Sequence, residues 1–189
     1  MEEKVNILLV DDTPANLLSW QSILTELGQN IICANSGEEA LKYLLTKDVA
    51  VILLDVHMPG LNGFETAALI RQRPRSAHTP IIFVTAIAMS EIDREKGYFT
   101  GAVDYLFSPV EPKILQAKVS VFIDLFKMQK EISRLNELKS NLLSMVSHEY
   151  RTPITIIQGY AEILLNYFPV DSKEKKFIQN IINECHHLI

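Results

Sequence analysis

Cysteine is scarce in this 189-residue chain: Cys33 and Cys185 lie far apart and match neither a metal-binding nor a redox spacing. Two isolated thiols read as reduced, as in a cytoplasmic protein. Positive charge is also short. With 18 Lys and Arg against 23 Asp and Glu, the net charge is −5, which argues against the concentrated basic surface that nucleic-acid binding requires. No apolar run approaches the ~20 residues of a bilayer span, so no membrane span is expected. Met1-Glu2-Glu3-Lys4 leads straight into an apolar segment without the basic-then-apolar pattern of a signal peptide. The expectation is a cytoplasmic chain.

What is present first is an alternation of strand and helix signals. Val5 to Val10 is a short apolar run ending in Asp11-Asp12. Pro14 stands where a helix can begin, with Leu17, Leu18, Ile23, Leu24 and Leu27 following at helical spacing and Gly28 ending it. Ile31 to Ala34 is a second strand. Ser36 with Glu39 three residues on predicts a capping box, and the helix behind it carries Ala40, Leu41, Leu44 and Leu45. Val49 to Leu54 is continuously apolar, as expected of a central parallel strand buried on both faces. Pro59-Gly60 and Asn62-Gly63 mark a loop before a helix reaching about Arg71. Pro80 to Val84 is a further strand, a weak helix is expected over Ser90 to Lys96, and Val103 to Phe107 is the last strand, after Gly101.

Strands alternating with helices predict a doubly wound, five-stranded parallel sheet with right-handed crossovers, so helices on both faces. Ligands of such sheets sit beyond the carboxyl ends of the strands. Asp11, Asp12, Asp55, Thr85 and Ser108 all fall there. Carboxylates gathered in one place repel one another unless a cation sits among them. Hard oxygen donors with room for water and a phosphoryl oxygen suit Mg²⁺, and a carboxylate beside such an ion can accept a phosphoryl group.

After Pro112 the strand signals stop. Ile114 to about Phe168 reads as one long helix broken only by Pro153. Val121, Leu125, Met128, Ile132 and Leu135 alternate steps of four and three, the rhythm of a coiled-coil seam. Leu138, Leu142 and Met145 resume it after an extra step of three, which resembles a stammer. Pro169 and Asp171 interrupt, and a second helix from about Lys173 carries Phe177, Ile178, Ile181, Ile182 and Leu188. A hairpin this thin cannot bury its own stripe, so a four-helix bundle made by two copies is expected.

Residues 1–120 resemble the response-regulator receiver family, with a flavodoxin-like fold. The resemblance rests on Leu8-Leu9-Val10-Asp11-Asp12, on Leu53-Leu54-Asp55-Val56-His57-Met58-Pro59-Gly60 with Gly63, on Val84-Thr85-Ala86, and on Ala102-Val103-Asp104-Tyr105-Leu106. It implies that Asp55 is the phosphoacceptor and that Asp11, Asp12 and Asp55, with the backbone carbonyl of His57, hold Mg²⁺. It further implies that Thr85 bonds a phosphoryl oxygen and that Tyr105 is a rotating switch aromatic. The His57 side chain is expected to face solvent. One residue departs from the family: Ser108 stands before Pro109 where a lysine is usual. Serine donates a hydrogen bond but no charge, and charge stabilisation dominates phosphoryl transfer. Either the receiver is phosphorylated with weakened coupling, or it is a pseudo-receiver used for docking and dimer shaping.

Ser147-His148-Glu149-Tyr150-Arg151-Thr152-Pro153 lies within the long helix. Glu149 can orient the imidazole or take its proton, and Thr152 shares a face with His148. Pro153 cannot donate to the carbonyl of Glu149 and is expected to loosen or bend the helix. The segment resembles the H-box of histidine kinases, and residues 138–189 resemble their dimerisation and phosphoacceptor hairpin. This implies that His148 is the phosphorylated histidine, Glu149 an acid/base residue and Thr152 a contributor to phosphatase activity. Residues 121–137 are then a coiled-coil signalling helix.

No Gly-rich nucleotide loop or Asn-bearing ATP box follows. The chain ends at Ile189 inside the second helix, so a longer parent protein with an ATP-binding domain is expected, and autophosphorylation by this piece alone is not. The expected function is phosphorelay signal transduction by a hybrid histidine kinase. Its expected partners are a second copy, the parent's ATP-binding domain and other phosphorelay proteins.

Overall fold

The computed structural model describes residues 3–85, 104–169 and 172–188. The expected helix over Ser90 to Lys96, and the motif residues Ala86, Ala102 and Val103, lie outside them. Two compact units divide between Gln129 and Lys130.

In the first unit, β1 (Asn6–Val10), β2 (Asn30–Ala34), β3 (Val51–Asp55), β4 (Ile81–Thr85) and β5 (Asp104–Phe107) form one sheet in the order β2-β1-β3-β4-β5. Every neighbouring pair is parallel, with Ile7 beside Val51, Ile52 beside Ile81 and Ile82 beside Asp104. The helices are α1 (Pro14–Thr25), α2 (Gly37–Thr46) and α3 (Gly63–Arg71). Side chains alternate between the faces of a strand, and both faces here are apolar. Leu8, Val10, Ile52, Leu54, Ile81 and Phe83 pack on one side with Ala40, Leu41, Leu44, Ala67 and Ile70 of α2 and α3. Ile7, Leu9, Val51, Leu53, Ile82 and Val84 pack on the other with Leu17, Trp20 and Leu24 of α1 and with Leu115, Val119 and Ile123. Full burial of such a side chain is worth about 1.5–3 kcal/mol, so the two layers are the source of the sheet's stability.

Local chemistry sets the helix starts. Thr13 precedes α1 with Pro14 in the first turn, as the proline signal predicted. The expected capping box at α2 is only half formed. Ser36 Oγ accepts from the Glu39 amide at 3.2 Å, but the Glu39 carboxylate accepts from the Asn35 amide at 2.7 Å rather than from Ser36. A complete box opens α3 instead, where Asn62 and Glu65 exchange both bonds. Leu18 and Leu45, two of the apolar residues at helical spacing in the sequence, are exposed. Each lies next in sequence to a buried leucine, Leu17 and Leu44, and 100° of helical rotation carries it off the inward face.

α4 (Pro112–Leu165) belongs to both units in sequence. It contains Pro153 without interruption, so the expected break there is not seen. A proline costs the helix one hydrogen bond, and the Thr155 hydroxyl donates to the Arg151 carbonyl at 2.9 Å beside it. In the second unit the rest of α4 and α5 (Lys173–Leu188) bury Ala161, Ile178 and Ile182, with Leu165 against them. Among the described residues, no helix is long and apolar enough to cross a membrane.

Candidate functional site

The carboxyl ends of β1, β3 and β4 form the floor of a cleft of ≈ 210 Å³ lined by Asp11, Asp12, Thr13, Asn16, Trp20, Asp55, His57, Val84, Thr85 and Ser108. The chain reverses its strand order between β1 and β3, and such a switch point leaves a crevice at the strand ends. One carboxylate oxygen from each of Asp11, Asp12 and Asp55 lies within 4.8 Å of the others. Three hard donors at that spacing, open to water on one side, fit a small divalent cation.

The aspartates differ in how they are held. Asp11 is buried. Its Oδ1 accepts from the Thr13 amide at 2.8 Å and its Oδ2 from the Asn16 side chain at 2.9 Å. Burial pushes its carboxyl above the usual carboxylate range, against those two hydrogen bonds. Asp55 is half-buried and accepts from the His57 amide at 3.1 Å. Burial, and then the charge of Asp11, push its pKa up to about 6. The cleft therefore disfavours its own negative charge, which is the electrostatic condition for binding a cation. The His57 side chain is exposed, as expected.

Backbone geometry fixes Asp55 in place. The Val56 amide donates to the Val84 carbonyl at 3.3 Å, and the Gly63 amide to the Val56 carbonyl at 3.0 Å. A Cβ on Gly63 would lie 2.3 Å from the Asp55 carbonyl oxygen, so only glycine lets α3 start this close to the strand end. Thr85 is buried at the end of β4, and its carbonyl accepts from the Ser108 amide at 2.9 Å. The Ser108-Pro109 peptide is cis. Tyr105 packs on Phe83, ring centroids 5.4 Å apart, and Phe83 packs edge-on against Phe64 at 5.0 Å. Among the described residues that line the cleft there is no lysine or arginine.

Sequence reasoning missed Asn16 and Trp20. Both sit on α1, and only the direction of that helix turns them toward the cleft. A polar residue five positions after Asp11 was the one available signal.

His148, Glu149 and Thr152 all lie on α4 and are all exposed. The spacing of His148 and Thr152 puts them on one helical face. Beside them, Val146, Ser147, Tyr150, Arg151, Ile154 and Leu188 line an open, largely apolar cavity of ≈ 500 Å³. It has no acidic cluster and does not include the histidine.

A five-stranded sheet ordered 2-1-3-4-5, with an acidic cleft at its carboxyl edge and a buried threonine on the neighbouring strand, defines a two-component receiver. Comparison with known proteins agrees. The chain belongs to the response regulator receiver domain family, whose model matches residues 7–120, and is followed by a His Kinase A (phospho-acceptor) domain matching residues 138–189. A probable cyclic di-GMP phosphodiesterase of Vibrio cholerae is 37% identical over 113 residues, covering 60% of this chain and 25% of that protein. The signal transduction histidine-protein kinase BarA of Escherichia coli is 35% identical over 111 residues, covering 59% of this chain and 12% of that kinase. The chain thus spans a quarter or less of the length of these two relatives. Among solved structures, the receiver domain of a Pseudomonas aeruginosa sensor histidine kinase, with magnesium coordinated in its active-site cleft, superimposes with a TM-score of 0.59 at 30% identity. That match covers 65% of this chain and 99% of the other. A receiver joined to a phospho-acceptor domain fits phosphorelay signal transduction in a two-component system.

Proposed function

We propose that this chain passes phosphoryl groups between a histidine and an aspartate, its receiver regulating a histidine kinase core in a hybrid kinase. The observation that carries this reading is the meeting of Asp11, Asp12 and Asp55 oxygens within 4.8 Å of one another in the cleft. Asp55 is the acceptor. One of its carboxylate oxygens attacks phosphorus, a P–O bond forms, and the bond from phosphorus to the donor atom breaks in line. With a phosphohistidine donor the leaving imidazole keeps the electron pair and takes up a proton. Asp11, Asp12, Asp55 and the backbone carbonyl of His57 would hold Mg²⁺, which when bound neutralises the charge gathered on the transferring group. Thr85 donates a hydrogen bond to a phosphoryl oxygen, and Tyr105 is the aromatic that responds by leaving or keeping its place on Phe83.

In the same reading His148 carries the phosphoryl group of the kinase core, Glu149 acts as acid/base and Thr152 positions water for hydrolysis. ATP enters through an ATP-binding domain of the parent protein. Residues 1–120 are the input, residues 121–137 the signalling helix, and residues 138–189 a hairpin that pairs with a second copy in a cytoplasmic four-helix bundle. Other phosphorelay proteins supply or take the phosphoryl group.

Ser108 favours a second reading, a pseudo-receiver that docks and shapes the dimer without accepting phosphate. Trp20, the single tryptophan of the chain, lines the cleft, so its fluorescence reports Mg²⁺ binding directly. Saturable quenching by Mg²⁺, followed by an acetyl-phosphate adduct in the intact mass that Asp55→Ala abolishes, is expected of a working receiver. An adduct seen only in Ser108→Lys would replace it with the pseudo-receiver.

A further inference from the structure

Trp20, on α1, is only 4% exposed and sits in the apolar layer with Val84, Leu106 and Leu115 on one face of the sheet. It also lines the cleft, together with Asp55, Thr85 and Ser108. A buried indole N–H usually finds a hydrogen-bond partner. Among the described residues this one has none, although no fully enclosed side-chain nitrogen or oxygen there lacks a partner. The little of Trp20 that stays accessible therefore includes its Nε1, and the space it borders is the cleft.

An indole N–H only donates, so it cannot bind a cation and calls for an acceptor oxygen. The three aspartates call for the opposite, a cation among them. An oxyanion that arrives bridged to a divalent metal satisfies both. Among the described residues that line the cleft, no lysine or arginine answers the rest of that anion's charge, and Ser108 is exposed and neutral. We propose that Trp20 is a phosphoryl-binding residue, its indole N–H donating a hydrogen bond to an oxygen of the phosphoryl group on Asp55 in place of a cationic side chain. The proposal rests on the receiver reading of the cleft.

With acetyl phosphate as donor, an Asp55 oxygen attacks phosphorus, the new P–O bond forms, and the bond from phosphorus to the acetyl oxygen breaks. Acetate leaves with the electron pair. Charge spreads over the three oxygens that stay on phosphorus, and one of them takes the indole hydrogen bond. The tryptophan proton remains on nitrogen throughout. Packing on the sheet holds the ring in place beforehand, so no reorganisation is needed when the charge arrives.

Trp20 is the single tryptophan, so its indole proton gives one signal in a proton–nitrogen NMR spectrum of the full chain. Excess acetyl phosphate with Mg²⁺ is expected to move that signal downfield and to slow its exchange with water roughly tenfold, relative to Mg²⁺ alone. Trp20→Phe keeps a ring but loses the donor. It is expected to lower the rate of adduct formation, read by intact mass, roughly tenfold. In Ser108→Lys, where a charge is restored, the same change is expected to cost about threefold or less, a coupling that a packing role would not produce. The wild-type signal keeps the test independent of whether Trp20→Phe folds. An adduct on wild type with an unmoved indole signal overturns the proposal and leaves the receiver reading standing. Equal slowing by Trp20→Phe in both backgrounds does the same. No adduct on wild type overturns the working receiver and the proposal with it.

Discussion

The two units spend their apolar residues differently. The receiver encloses its own on both faces of a sheet, down to fully buried Phe83, Leu53 and Ile7. The helical unit leaves Leu138, Leu142, Met145, Ile156, Ile157 and Ile163 about half exposed, and its described core is little more than Ala161, Ile178 and Ile182. One unit closes a core within a single copy, although Val121, Leu125 and Met128 on its last helix stay exposed. The other leaves most of its apolar residues uncovered.

The largest effect should come from breaking that contrast at its centre. Phe83→Ala empties the middle of the Phe64–Phe83–Tyr105 stack and is expected to cost the receiver about 3–5 kcal/mol. Its unfolding midpoint in urea should fall equally at all protein concentrations. Ile182→Ala is expected to lower the melting temperature of the helical unit more on dilution, because binding a second copy stabilises by mass action. A concentration-independent midpoint in both units would erase the comparison.

A smaller effect sharpens it through pH. Asp55 has its pKa raised from 3.8 to about 6 by burial and by Asp11. Below the unfolded value the carboxyl is protonated in both states and costs nothing. As pH rises from 3.8 through about 6 the unfolded chain releases a proton that the folded chain retains, so stability is lost over that window. Without Mg²⁺, Asp55→Asn should remove most of this loss and stabilise the receiver by about 1–2 kcal/mol near neutral pH, after allowance for solvent screening of a half-buried group. At pH below the window the two proteins should unfold alike, and the helical unit should show no difference at any pH. Asn62→Ala, which deletes the cap of α3, is expected to cost the least, about 1 kcal/mol, read from the same urea midpoints.

The sheet was legible because strands buried on both faces are written as unbroken apolar runs, and Val49 to Leu54 is one. The aspartates were legible because they end those runs. Other features were not. Asn62-Gly63 reads as a turn by composition, yet Asn62 is the cap of a helix and Gly63 its first residue. The Ser36 cap was found, but its glutamate partner reached one residue further back. Trp20 belongs to no motif in the sequence, and only the packing of α1 brings it to the cleft. The two cap contacts span only three and four residues; the contact that brings Trp20 to the cleft joins residues far apart in sequence, with no local signal.

The close approach of Gly63 to the Asp55 carbonyl has a mechanical consequence. β3 is the middle strand of the sheet, braced by β1 and β4, and the start of α3 is jammed against its exit. The anchorage of Asp55 is therefore stiff. A load applied to its carboxylate is met by a strand paired on both sides and by a helix start with no room for even one added carbon between them.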